Sequence, residues 1–181
     1  MIFGLSVPTF TTLHVVLSLV GIASGVLVLL RPSASTKASS LNALFLATTI
    51  AASVTGLLFM VAFPRFRLGH MLGVVSLIVL VPTALALYRY RLAGAWRAMF
   101  VAGATIAFYL NAFIGVMQAF GKIGFLGTLP PTSFASPLLL AHLLVLAICL
   151  WLGFHAYAHL QPGGVPQRAR PRPLRIADRW G

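Results

Sequence analysis

Uncharged apolar runs, rather than alternating patterns, organise this chain. Five stretches reach the roughly 20 residues needed to cross a bilayer as helix: Thr9–Leu30, Leu41–Phe63, Leu68–Tyr88, Ala98–Phe120 and Pro137–Leu160. None holds Lys, Arg, Asp or Glu. The runs are continuous and lack a two-residue period, so they predict helices rather than barrel strands. The first run is too long for a cleaved signal and no basic residue precedes it.

Punctuation supports the same division. Arg31-Pro32-Ser33 ends the first span, Ser39-Ser40 is the expected cap of the second, and Pro64 is expected to close it. Pro82 should kink the third span by removing a backbone donor. Gly94 marks the next turn, and Gly121–Pro131 is a Gly/Pro-rich connection. The expectation is an all-α integral membrane bundle of five helices over residues 1–160. A Pro/Arg-rich segment, 161–181, follows and reads as a disordered basic tail.

Composition narrows the chemistry. The 181 residues are 60% hydrophobic, with a mean hydropathy of +0.99 and 13 Lys+Arg against 1 Asp+Glu. The lone acid is Asp178, in the tail, so no span holds a carboxylate. That excludes paired-carboxylate catalysis, carboxylate cages for Ca²⁺ or Mg²⁺, and the acidic cation carrier common in transporters. Cys149 is the single cysteine, which rules out an internal disulfide and a Cys-based zinc site. No catalytic constellation is visible.

The basic residues then act as an orientation signal. With the N-terminus outside, the cytoplasmic segments hold Arg31, Lys37, Arg89, Arg91, Arg97 and the five tail arginines, ten in all. The outer segments hold Arg65, Arg67 and Lys122, three in all. By the positive-inside rule the chain is N-out, C-in, placed in a bacterial inner membrane. The tail arginines suit anionic lipid, each worth about 1 kcal/mol near the surface. With the charge assigned to topology, nucleic acid has no support as a partner.

Depth along the spans picks out the candidate site. His14 precedes Arg31 by 17 residues, about 25 Å at 1.5 Å per residue. His70 precedes Arg89, and His142 precedes Gln161, by 19 residues each, about 28 Å. Three histidines on three spans thus share an outer-leaflet level, with Asn111 and Gln118 on one face of the fourth span. Met60, Met71 and Met117 fall near the same outer ends. Imidazole with thioether suits copper, and imidazole alone suits other transition metal ions. Haem b between two His is the other candidate, with Gly69 and Gly73 beside His70 and with Arg65 and Arg67 for its propionates.

Structural readings of the same residues compete with that one. Histidine at a span end also serves the headgroup zone, methionine fills gaps, and Asn111 and Gln118 can join helices by hydrogen bonds. Ser18, Gly21 and Gly25, and likewise Thr49, Ser53 and Gly56, form small-residue faces for close packing. His155 and His159 have i,i+4 spacing but no partner carboxylate, and read as interfacial with Tyr157. The Gly121–Ser136 loop, with Phe125, is either a lid over the outer site or a connector.

Five segments also carry a resemblance: Phe45-Leu-Ala-Thr-Thr, Thr55-Gly56, Gly69-His70, Gly94-Ala-Trp-Arg97, and Tyr109-Leu-Asn111 with Gln118-Ala-Phe120. Over about His14 to Leu160 the chain resembles bacterial polytopic membrane proteins of the DUF2306-like type, a group of unknown function. The resemblance implies a small helical inner-membrane protein and carries no activity. Members have Gln where His142 stands, which favours His14 and His70 as the essential pair. Two functions follow as expectations. One is an outer-leaflet His site for a transition metal or haem b, serving electron transfer or metal handling. The other is an accessory subunit of a larger respiratory or photosynthetic type membrane complex, or of a homo-oligomer.

Overall fold

The computed structural model describes residues 2, 4–32, 36–61, 68–129 and 136–160. Pro64, Arg65, Arg67, the tail from Gln161 and part of the 121–136 connection lie outside the described residues. The elements are α1 (Val7–Leu30), α2 (Thr36–Leu58) with a 3₁₀ turn (Phe59–Val61), α3 (Leu68–Tyr88), α4 (Trp96–Lys122), the short α5 (Gly124–Gly127) and α6 (Pro137–His159). Five of these are long and apolar enough to cross a membrane, as the hydrophobic runs predict.

Helix ends follow local chemistry. Ser6 caps α1 by accepting from the Thr9 amide, and Ser136 caps α6 by accepting from the Leu139 amide. Each is followed by a proline, Pro8 or Pro137, in the first turn, where the missing N–H costs nothing. The second helix departs from expectation. It starts at Thr36, so Ser39 and Ser40 lie inside it rather than capping it, and it gives way to the 3₁₀ turn at Phe59. The turn between α3 and α4 uses left-handed backbone at Arg91 (φ 48), Leu92 (φ 59) and Gly94 (φ 53). Left-handed backbone costs a non-glycine residue about 1–2 kcal/mol. Leu92 offsets that by burying its side chain in the core at 1% exposure.

Packing divides the bundle into a dense half and a hollow half. α4 is the hub, touching α1, α2, α3 and α6, while α1 and α3 each pack on α2 and α4. The core gathers residues from one end of the bundle. They include Val28 and Leu29 of α1, Phe45 and Leu46 of α2, Ala86 of α3, Phe100 to Phe108 of α4, and Leu152 and Ala156 of α6. At that level small residues let the backbones close up. Gly103 of α4 sits directly against the Thr83 side chain of α3, and Gly153 of α6 against Thr105 of α4. Outward-facing Leu19, Ile78, Leu144 and Phe154 are 60–75% exposed, an apolar belt that suits lipid. Toward the other end, α1 and α3 stand apart, and the candidate site occupies the space between them.

Candidate functional site

The hollow half holds a cavity of about 880 Å³ walled by α1, α2, α3 and α4. Toward one end it is lined by Thr11, Leu68, Lys122 and Ile123, and deeper along the helices by Ile22, Ser76 and Asn111. His14 and His70 both line it, from α1 and α3 respectively, and Met117, Gln118 and Asn111 line it from α4. Depth and helical face therefore bring together five of the eight candidate residues.

The other three go elsewhere. His142 is buried on α6 against the Phe113 ring, with centroids 4.2 Å apart, and does not line the cavity. Its Nδ1–H donates to the Leu138 carbonyl at 2.8 Å. Its Nε2 is buried without a hydrogen-bond partner. Depth placed His142 correctly, but α6 packs outside the α1–α4 ring, so the side chain meets the back of α4. Met60 and Met71 are 39% and 45% exposed and do not line the cavity. Among the described residues no three of His, Cys, Asp and Glu come together as they would to hold a metal ion. A copper site with three imidazoles and clustered thioethers is not assembled.

His14 is held with one nitrogen committed. Its Nδ1 lies 2.9 Å from Thr55 Oγ1, across α1 and α2. The Thr55 hydroxyl has one proton, which it donates to the carbonyls of Ala51 at 2.8 Å and Ala52 at 3.1 Å. With that proton on the α2 backbone, Thr55 accepts from His14 Nδ1–H, the tautomer that leaves Nε2 its lone pair. Gly56 makes room for this ring: a Cβ there would sit 3.4 Å from His14 Cε1. The edge of the ring meets Phe59 at 5.5 Å. The Thr55-Gly56 pair is thus a seat for an imidazole, a role that small-residue packing alone did not suggest.

His70 is 5% exposed on the facing wall, with Gly69 and Gly73 beside it on the lining. A Cβ at Gly69 would meet nothing within 4 Å, so the wall is open there. Asn111 Nδ2 donates to the Ser18 carbonyl at 3.1 Å, tying α4 to α1. This is the helix-joining role weighed for it, although its amide still borders the cavity.

The histidine pair of α6 is separate from the cavity. His155 donates from Nε2 to the Leu30 carbonyl at 3.3 Å, stacks on Trp151, and has His159 at 4.4 Å. Nearby, Arg97 donates to the Leu160 carbonyl at 3.0 Å and lies 4.9 Å over the Tyr157 ring. Phe125 of the outer connection is 73% exposed and does not line the cavity, whereas Ile123 does.

Comparison with protein-family models, curated proteins and solved structures finds no match to this chain.

Proposed function

We propose that this is a small inner-membrane haem b protein serving electron transfer, in which His14 and His70 would hold the haem. The observation that carries the reading is the placement of these two imidazoles on opposite walls of one cavity. Three further features support it. The His14 tautomer keeps Nε2 as a lone-pair donor, with the outer-shell hydrogen bond from Nδ1 that ligating histidines normally have. The space, about 880 Å³, is far larger than a metal ion needs. Its lining is chiefly apolar, and at Gly69 it has open space where a side chain would start.

Lys122 on the lining is the partner for a propionate, in the role assigned from sequence to Arg65 and Arg67. In the orientation given by the basic residues, N-out and C-in, the Lys122 end of the cavity is the outer one. DUF2306-like membership belongs to the same proposal and adds no activity. When bound, haem supplies a one-electron couple, and the protein supplies ligation, apolar surroundings and exclusion of water.

The test is the absorption spectrum of the gently purified protein and of its variants. Wild type is expected to show a Soret band with the low-spin features of two imidazoles. His14→Ala and His70→Ala should each lose the low-spin form, and the double variant should lose the pigment. A double variant that keeps full haem, or a well-folded wild type that binds none when haem is supplied, overturns the reading.

A further inference from the structure

Beneath the histidines the cavity has a second polar tier, two of whose hydroxyls make no hydrogen bond to the described residues. Hydroxyls in membrane helices usually donate to their own helix one turn back. Thr11, Ser24, Thr48, Ser53, Thr55 and Thr83 all do so here, at 2.6–2.9 Å. Ser18 of α1 and Ser76 of α3 have no such bond, and both line the cavity. Ser76 is 4% exposed as a residue and lines the cavity. Asn111 uses one amide N–H on the Ser18 carbonyl, with its amide nitrogen close to Gly21, and the residue borders the same lining.

These three residues lie at a similar depth. Ser18 is eleven residues into α1 and Asn111 eleven from the end of α4, about 16 Å each at 1.5 Å per residue. Ser76 is eight residues into α3, about 12 Å. His70 and His14 are two and seven residues into their helices, about 3 and 10 Å. The tier is uncharged: Ser18 lines it from α1, Asn111 from α4 and Ser76 from α3. Unpaired polar groups at this depth cost free energy unless a ligand or water satisfies them.

From this arrangement we infer that the lower tier binds a lipid-soluble quinone headgroup. A quinone is flat and neutral and carries two opposed carbonyl acceptors for the hydroxyl donors of the tier. Its isoprenoid tail belongs in lipid. A carboxylate ligand would find no cation at this depth, since Lys122 lines the other end of the cavity. The inference stands on the serines and Asn111, not on haem, and the cavity is the membrane-embedded apolar space with a few convergent polar groups that small-molecule sites favour.

The test is equilibrium binding of decylubiquinone to the full chain in nanodiscs, above its partition into empty nanodiscs. Saturable binding is expected in wild type, weakened tenfold or more in the Ser18→Ala/Ser76→Ala double variant and in Asn111→Leu. Unfolding midpoints of all variants establish that they are folded, and the serine pair has no structural hydrogen bond to lose. Wild type prepared without haem should bind the quinone, which separates this inference from the haem reading. Three results overturn it: no saturable binding, as for a cavity holding water alone; equal binding by the serine variant; or equally tight binding of decanoic acid or decanol.

Discussion

Replacing Gly103 by alanine should destabilise the bundle, although both helix propensity and added burial argue for the opposite. Alanine is favoured over glycine in a helix by about 1 kcal/mol, and a buried methyl adds about 0.8 kcal/mol. Against this, the new Cβ would coincide with the Thr83 side chain of α3. Thr83 is fully buried, and its hydroxyl is fixed by a 2.7 Å bond to the Val79 carbonyl, so it has no room to retreat. Either it swings away and leaves a buried hydroxyl unpaired, about 1–3 kcal/mol, or α3 and α4 separate, an overpacking cost of about 1–3 kcal/mol. With no free space the methyl gain is not realised, so only the propensity gain of about 1 kcal/mol stands against either cost. The net expectation for G103A is a modest loss, while G103A in a Thr83→Ala background should be neutral or stabilising. The coupling in this double-mutant cycle should be about 1–3 kcal/mol, at the upper end of contacting pairs. Unfolding of the four proteins in mixed micelles, titrated with a denaturing detergent, measures it. An additive cycle, or a G103A variant more stable than wild type, would refute the close α3–α4 approach that sets the width of the cavity.

Thr55→Val removes the acceptor for His14 Nδ1–H while keeping shape, and should weaken haem binding by about 10–100-fold, the usual range for outer-shell partners. Thr55→Ser should restore it, and titration of haem into the apo protein reads both. Arg97→Ala should fray the end of α6, because Leu160 loses its donor and Tyr157 its cation. The loss is about 1.5–3 kcal/mol locally, and faster amide exchange over Ala156–Leu160 with unchanged exchange in α1 would show it. Cysteines placed at Ser6 and Thr128 in a Cys149→Ser background should react with an impermeant maleimide from the periplasmic side, and one placed at Arg91 should not. The reverse pattern would invert the topology.

Much of the fold was legible because the bilayer leaves few options. A run of twenty apolar residues without charge can only be a helix satisfying its own backbone. The five runs became five helices with ends displaced by a few residues. The displacements have local causes. Pro8 and Pro137 fit the first helical turn and carry α1 and α6 back to the caps at Ser6 and Ser136. Ser39-Ser40 had the chemistry of a cap, but Thr36 begins the helix one turn earlier. The left-handed Leu92 had no sequence signal, since its backbone is held by the side chain's burial against distant helices.

The site was half legible for a geometric reason. Residue number gives depth, because rise along a helix is fixed, and depth alone grouped His14, His70 and His142. What it does not give is the azimuth of one helix relative to another, which depends on which helices are neighbours. Once α4 takes the centre and α6 packs behind it, His142 faces Phe113 rather than the cavity, and Met60 and Met71 turn outward. The same uncertainty hid Ser18 and Ser76, which in sequence look like the other small polar residues of the spans. They differ from Ser24 and Ser53 in lacking a bond to the helix backbone, and from Thr49 and Thr105, which lack it within the helix packing, in lining the cavity.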